Sequence, residues 1–158
     1  VDEASIEEDN DYVKLVKDYA AKDGAACLSI CGKLESEIAS LETVEEKEDF
    51  LEAAGITQSG IDVLSHTAYK MLGLRTYFTA GIQEVRAWTF KEGDKAPQAA
   101  AVIHTDFEKG FIKAEVFHCE DLFKCGTETK VKEAGKFRIE GKEYLVQDGD
   151  IMHFRFNV

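Results

Sequence analysis

Apolar residues in the first half of the chain recur mostly with helical spacing. Positions 11–23 predict a helix that ends before Gly24. One face of it, with the spacing i, i+3, i+4, i+7, i+8, consists of Tyr12, Leu15, Val16, Tyr19 and Ala20. Residues 25–31 carry no charge and predict a buried strand of a parallel sheet, followed by a turn at Gly32. Because one strand cannot form a sheet, we expect residues 1–35 to need partner strands from outside this sequence.

Two more helices are predicted before Gly73. Thr43 and Glu46 have the spacing of a capping box, which predicts a helix that reaches about Ala53. Positions 59–72 predict the second helix, whose apolar face consists of Ile61, Leu64, Ala68, Met71 and Leu72. We interpret both as connecting helices and not as a site of chemistry.

After Gly73 the pattern changes to short strands. Strands are predicted at 75–79, 85–90, 111–117, 143–146 and 151–156, a helix at 97–106, and short helical turns from Glu120 to Lys136. The Asp148-Gly149 pair predicts a tight turn before the last strand. A strand pair, a helix across it and returning strands are typical of an α+β, β-grasp (ubiquitin-like) fold.

The negative charge is concentrated in the first half of the sequence. The net charge is −12 overall, −11 for residues 1–73 and −1 for residues 74–158, which favours a domain boundary near Gly73. An acidic surface repels phosphates, so we expect any nucleic-acid contact in the second half. No apolar run approaches the roughly 20 residues that span a bilayer. The first residues do not resemble a secretory signal. We therefore expect no membrane partner and a cytoplasmic location.

Two groups of residues resemble chemical sites only weakly. The cysteines are spaced C-x3-C and C-x5-C, which favours reduced thiols over a zinc site and leaves a thiol redox switch as an alternative; they are Cys27, Cys31, Cys119 and Cys125. His104, Thr105 and Asp106 are neighbours in sequence, so they would point in different directions on a helix. We interpret them as polar caps of a helix that stops at Gly110, and not as a catalytic cluster.

Several runs, in their order and spacing, carry a family resemblance. They are Tyr77-Phe-Thr-Ala-Gly81, Glu84-Val-Arg-Ala-Trp-Thr89, Lys95-Ala-Pro-Gln-Ala-Ala100, His104-Thr-Asp-Phe-Glu-Lys-Gly110 with the strand after it, and the closing Gly141–Asn157 run. Together they resemble the C-terminal TGS domain of the YchF family of Obg-like ATPases over about residues 74–158. The resemblance implies a β-grasp TGS domain there, connecting helices in 36–73, and in 1–35 the α/β end of a P-loop nucleotide-binding domain.

The same resemblance implies a nucleotide-base site. Val1-Asp2-Glu3 is similar to the end of the family's Asn-x-x-Glu motif, whose asparagine we expect directly before Val1. Val1 would pack beside adenine, and Glu3 would favour ATP because it replaces the aspartate that reads guanine in GTPases. Cys31 and Gly32 stand where the family's loop turns its backbone amides toward the base. The alternatives are a frayed chain end and an ordinary turn.

The family's activity implies ATP with Mg²⁺ as cofactors, with GTP as a further nucleotide. The sequence contains no G-x-x-x-x-G-K-[ST] motif, so we expect no catalytic residue in this chain and a P-loop segment of the same protein as its partner. The implied partner of the TGS half is the ribosome or RNA. The lysines, arginines and aromatic residues of that half suit contacts with phosphates and bases. The alternative is a non-enzymatic β-grasp module that binds RNA, the ribosome or a protein.

Overall fold

The chain divides into two compact units, Val1–Tyr69 and Lys70–Val158, in a computed structural model that describes residues 1–81 and 84–157. Position 158, the end of the predicted segment 74–158, lies outside the described residues, and the predicted boundaries at 35 and 73 remain predictions. The described helices are α1 (Ala4–Glu7), α2 (Asp11–Lys22), α3 (Gly32–Ser40), α4 (Val44–Ala53), α5 (Gly60–Met71), α6 (Ala96–Ile103), α7 (Thr105–Lys109), α8 (Cys119–Cys125) and α9 (Glu128–Glu133). The strands are β1 (Leu74–Ala80), β2 (Val85–Lys91), β3 (Phe111–His118), β4 (Arg138–Glu140) and β5 (Asp150–Phe156).

The predicted helices of the first unit form close to their predicted bounds. Asn10 caps α2 by accepting a hydrogen bond from the Val13 backbone N–H at 2.9 Å. Thr43 and Glu46 form the predicted capping box at the start of α4. Helix α3 was not predicted, since only a turn was expected at Gly32. Its buried positions, Leu34 and Ile38, have the i, i+4 spacing that indicates a helix.

The predicted strand at 25–31 is wrong for this structure. Residues 25–31 belong to no helix or strand, because none of the described strands pairs with them. A strand is defined by the ladder of hydrogen bonds to its neighbour. The sequence also predicts that partner strands would have to come from outside, and that expectation is compatible with an unpaired segment here.

The second unit is built on a mixed five-stranded sheet in the order β2-β1-β5-β3-β4. Strands β1 and β2 form an antiparallel hairpin in which Tyr77 pairs with Trp88. Strand β5 runs parallel to β1, with Phe78 opposite Ile151, and antiparallel to β3. The short β4 completes the other edge, antiparallel to β3.

Apolar side chains leave this sheet on both faces. In β3 and β5 neighbouring residues alternate, so that Val116 and Met152 belong to one cluster and Phe117 and Ile151 to the other. Helix α6 covers the first cluster with Ala96, Ala99 and Ala100, and Tyr77 also donates its hydroxyl there to the Ala99 carbonyl at 2.9 Å. Helix α9 covers the second cluster with Val131, which is completely buried. The unit therefore has a two-sided core.

Two sequence predictions for this unit are corrected. The segment 143–146 is not a strand: only Leu145 makes an isolated bridge, with Lys95, and the strand beside β3 is β4 instead. The reason is that this backbone bonds to the start of α6: the Val146 N–H donates to the Asp94 carbonyl, and the Tyr144 carbonyl accepts from the Ala96 N–H. The predicted helix 97–106 is interrupted at His104, whose extended backbone ends α6 and whose ring Nδ1 accepts a hydrogen bond from Asp106 N–H at 3.2 Å to start α7. The predicted stop at Gly110 is confirmed, but the polar cap formed by His104 lies at the start of α7 and not at a helix C-terminus as predicted.

A buried carboxylate at the first residue of β5, Asp150, fixes the turn that precedes this strand. Asp150 is completely buried, and its Oδ2 accepts hydrogen bonds from the Tyr144 hydroxyl at 2.7 Å and from Gln147 N–H at 2.9 Å. Arg138 lies 3.7 Å from the other carboxylate oxygen. Burial and this carboxylate both raise the pKa of Tyr144, so its hydroxyl remains a donor. The network joins β4, the turn and β5.

Across the part of the chain that the structure describes, every helix is too short or too polar to cross a membrane.

Candidate functional site

The two predicted base-facing segments lie next to each other in the first unit. The backbone nitrogen of Val1 donates a hydrogen bond to the Ile30 carbonyl at 2.8 Å. The Lys33 ammonium lies 2.8 Å from the Glu3 carboxylate. The four predicted residues, Val1, Glu3, Cys31 and Gly32, are therefore brought to one place, although they are 30 positions apart in sequence.

Local sequence fixes each of the two segments. Glu3 immediately precedes α1, and the Asp2 carboxylate accepts the Ser5 backbone N–H at 3.0 Å, so the first residues turn into a helix instead of continuing away. Cys31 is the N-cap of α3 and contributes no side-chain hydrogen bond to it. Cys31 as a whole is only 3% exposed, whereas Gly32 is exposed, so the loop presents backbone rather than side-chain polar groups, chiefly at Gly32.

Charges of both signs meet at the site. The Glu3 carboxylate raises the pKa of Lys33, and Glu37, one turn further along α3 at 3.9 Å, adds to the effect. Lys33 is thus held as a cation between two carboxylates. Both partners of the closer pair are about half exposed or more, with side-chain exposures of 68% for Lys33 and 50% for Glu3. Solvent screens such a pair, so it orients side chains more than it stabilises the fold.

Helix α3 is anchored to the start of α5. The Glu35 carboxylate accepts the Gly60 backbone N–H at 2.7 Å, and Ser59 and Asp62 complete the cap of α5. A Cβ at Gly60 would lie 2.9 Å from Glu35 Oε1 and 3.1 Å from Ile30 Cγ2, so a larger residue there would require these two side chains to shift. The anchor fixes the loop that carries Cys31 and Gly32. A cavity of about 320 Å³ lies between residues 28–31, α3 and the 55–58 loop.

Three functional candidates were not singled out from sequence. Lys33 is the cation that joins the two segments, and Glu35 and Gly60 fix the loop between them. A sequence signal existed only for Lys33, which has an i, i+4 acidic neighbour in Glu37. The contact of Glu35 with Gly60 spans 25 residues and leaves no local pattern.

The aromatics of the second unit divide into core and surface. Tyr77, Phe90 and Phe111 are buried in the core. On the edge strand β2, the Arg86 guanidinium lies 4.1 Å above the Trp88 ring, whose indole N–H donates to Thr79 Oγ1 at 2.9 Å. Phe123 on α8 is 79% exposed, and no sequence pattern predicted that exposure.

Comparison with known proteins places this arrangement in context. The family model YchF-GTPase_C, described as a protein of unknown function (DUF933), matches residues 74–157. The chain is 57% identical over 157 residues to the Ribosome-binding ATPase YchF of Bacillus subtilis (strain 168), and 46% identical over 154 residues to Obg-like ATPase 1 of Pongo abelii. These alignments cover 99% and 96% of this chain but 43% and 38% of those proteins. The chain therefore spans less than half the length of these curated relatives.

A solved structure agrees with the sequence relatives. The YchF GTPase of Schizosaccharomyces pombe matches with a TM-score of 0.86 and 36% sequence identity. The match covers 98% of this chain and 41% of that protein. A GTP binding protein from Pyrococcus horikoshii OT3, at 19% identity and a TM-score of 0.63, shares the fold.

Proposed function

Because the chain belongs to the YchF-GTPase_C family, we propose that it is the C-terminal portion of a P-loop ATPase that associates with ribosomes. The observation that carries the proposal is the 57% identity, over 99% of this chain, to a protein named Ribosome-binding ATPase YchF. In this proposal residues 1–35 complete the nucleotide-binding domain, 36–73 connect, and 74–158 form a β-grasp TGS domain. The hairpin β1–β2, the crossing helix α6 and the parallel pairing of β1 with β5 support the β-grasp assignment.

The proposed role of the first unit is to read the nucleotide base. The closeness of Val1 and Glu3 to Cys31 and Gly32 supports it, because a base site needs both segments at one end of the domain. Guanine offers two donors, its ring N–H and its amino group, to a carboxylate, whereas the adenine N1 is an acceptor. Lengthening the aspartate to glutamate removes the two-point match with guanine, so Glu3 favours ATP.

The phosphate and metal parts of the proposed reaction belong to residues outside this chain. The sequence has no P-loop, and no group of three or more His, Cys, Asp or Glu in the described ranges, 1–81 and 84–157, is arranged to hold a metal ion. In P-loop proteins Mg²⁺ is held by the P-loop hydroxyl together with the nucleotide phosphates, and without a P-loop the residues of this sequence do not fit that arrangement. Phosphoryl transfer requires a phosphate cradle and Mg²⁺ in addition to base contacts, and we derive no step of it from this chain.

The nucleotide proposal is tested by calorimetric binding of ATP and GTP to this chain alone, to the full-length protein and to its Glu3→Asp variant. We expect little or no binding by the chain alone, since most nucleotide affinity comes from groups around the phosphates. The full-length protein should bind ATP at least as well as GTP, and Glu3→Asp should shift the preference toward GTP. Micromolar ATP binding by the isolated chain, or a strong GTP preference of the full-length protein, would contradict the proposal.

The proposed ribosome contact is assigned to the second unit. Support comes from its near-neutral balance, against a net charge of −11 in residues 1–73, and from cation–aromatic pairs such as the exposed Arg86 with the half-buried Trp88. Phosphate contacts release counterions, so binding should weaken as salt increases. Charge reversal of several lysines and arginines after Gly73 should weaken sedimentation with ribosomes. A larger loss from the same change within residues 1–73 would overturn the assignment, and salt-independent binding would indicate a protein contact instead.

A further inference from the structure

We propose that Lys33 is a positioning residue that sets the base preference of this site by holding the Glu3 carboxylate. The inference rests on the proposed function, since it concerns how the same base-facing segments choose between nucleotides. It adds a residue to which the resemblance assigns no role. The carrying observation is the ion pair that joins the two segments, with the Lys33 Nζ 2.8 Å from Glu3 Oε1.

The position of Lys33 suits this role. It lies in the first turn of α3, directly after Cys31 and Gly32. Glu3 lies just before α1 with a helical backbone conformation, φ −60° and ψ −43°. The ammonium therefore reaches from one base-facing segment to the acidic end of the other. The Val1 backbone contact to Ile30 holds the same two segments together independently of this pair.

The pair changes what the Glu3 carboxylate can offer a base. Even without the two-point match, a free Glu3 carboxylate would attract the donors of guanine and would face the lone pair of the adenine N1 with a like partial charge. A carboxylate directed to an ammonium has one oxygen engaged and most of its charge compensated. Both the attraction for guanine and the repulsion of adenine then decrease. The ion pair thus acts in the same direction as the added methylene of glutamate, toward ATP.

A competing carboxylate is present, and the geometry ranks the two. Glu37 lies 3.9 Å from Lys33, against 2.8 Å for Glu3. Only the shorter contact is within hydrogen-bond distance. The i, i+4 position of Glu37 on α3 makes its contact an ordinary helix-surface pair, whereas the contact with Glu3 spans 30 positions. We therefore assign the functional contact to Glu3.

The test compares dissociation constants for ATP and GTP in the full-length protein and its Lys33→Met variant. The expected result is a fall of roughly three- to tenfold in the preference for ATP, mainly through tighter GTP binding, the range for one charge-assisted contact in a partly exposed site. Lys33→Arg retains a cation and should restore most of the preference. Lys124→Met breaks another exposed i, i+4 pair, with Glu120, and serves as the matched control with no change expected.

The ratio of the two constants within one variant cancels any loss of folded protein, so a purely structural effect does not move it. If Lys33 acts through Glu3, the double variant Glu3→Gln/Lys33→Met should have the same ratio of ATP to GTP dissociation constants as Glu3→Gln alone. An unchanged ratio in Lys33→Met, or an equal shift in the Glu3→Gln background, would overturn the inference and leave the proposed function intact. Failure of the unmodified full-length protein to bind ATP would instead contradict the proposed function.

Discussion

The two compact units of this chain differ in how they treat their large apolar side chains. In the second unit Tyr77, Phe117 and Met152 are at most 1% exposed and belong to clusters on both faces of the sheet. In the first unit the apolar face of α2 is open to solvent, with exposures of 81% for Tyr12, 65% for Leu15, 57% for Val16 and 69% for Tyr19. Monomeric domains rarely expose so many large apolar residues together. The second unit thus buries a large apolar core within itself, whereas the first leaves the apolar face of α2 uncovered.

The difference teaches that an amphipathic pattern specifies a helix but not its burial. Helix α2 forms where its periodicity predicts it, yet only Val13 of its residues is buried. The neighbouring segment 25–31, predicted as a strand, pairs with none of the described strands. A helix face and a strand of one α/β unit are covered by the same sheet, so in the proposed function one sheet would cover both.

Separating the units tests the comparison most severely. Residues 74–158 should keep a cooperative thermal transition, because their core is complete, and residues 1–69 should unfold gradually or lack one. Circular dichroism and calorimetry of the two fragments measure this. A broad melt of 74–158, or a sharp one of 1–69, would show that the exposed apolar face of α2 does not indicate which unit can fold alone.

Single substitutions should show the same contrast between the units: replacing a buried apolar residue of the second unit should cost more stability than replacing an exposed one on α2. Phe117→Ala removes a ring that stacks on Phe137 at 5.5 Å inside the second cluster. It should lower the free energy of unfolding of this chain by about 3–5 kcal/mol, the usual cost for a buried phenylalanine. Leu15→Ala should change it by about 0.5 kcal/mol or less, because that side chain is already in water. Urea unfolding checks both, and similar costs would remove the contrast.

The close approach of the chain after β5 to the residue before β3 predicts a strong requirement for glycine at position 110. A Cβ at Gly110 would lie 2.0 Å from the Asn157 carbonyl oxygen, which is backbone and cannot rotate away. Gly110→Ala should therefore lower the free energy of unfolding by about 3 kcal/mol. Gly141→Ala is the matched control, since no atom lies within 4 Å of its Cβ, and its cost should stay within about 0.5 kcal/mol. Equal losses of unfolding free energy in the two variants would mean that the backbone at Asn157 moves away from a Cβ at position 110 without loss of stability.

Sequence alone predicted what depends on local chemistry. Periodicity and caps located α2, α4 and α5, and four of the five strands lie close to their predicted positions. The two strands that were predicted wrongly, 25–31 and 143–146, both depend on distant partners, whereas α3 and the break at His104 had local signals. Tyr144 and Val146 alternate like a strand, but their hydrogen bonds go to Ala96 and Asp94 at the start of α6. The apolar faces of α2 and α5 were recognised, while their exposure depends on what lies opposite.

The candidate site divides in the same way. Val1, Glu3, Cys31 and Gly32 were chosen by resemblance, and the structure brings them together without testing their role. Lys33 and the Glu35–Gly60 contact were not found, because a pair that spans 25 or 30 residues leaves no periodic signal. Such contacts are set by the tertiary path of the chain. They are therefore the features that a structure adds to the sequence.

The smallest predicted effect concerns acid stability of the second unit. Arg155 on β5 donates two hydrogen bonds to Glu115 on β3, at 3.3 and 3.2 Å, and these lower the pKa of Glu115. A lowered pKa in the folded state means that the carboxylate stabilises the fold above its ordinary pKa, and that this stabilisation is lost as pH falls through the lowered pKa. Glu115→Gln should therefore lower the free energy of unfolding near pH 7 by about 0.5 kcal/mol, since Arg155 is largely exposed.

The pH dependence separates this ion pair from simple packing. The difference between Glu115→Gln and the unmodified chain should begin to shrink below about pH 5, near the ordinary glutamate pKa, and should decrease further as pH falls through the lowered pKa of the folded state. Urea unfolding across that range measures it. Glu120→Gln, which removes an exposed helix-surface pair with Lys124, should differ from the unmodified chain by only about 0.3 kcal/mol at neutral pH. A Glu115→Gln difference that stays constant down to pH 3 would mean that shape, and not charge, couples β3 to β5.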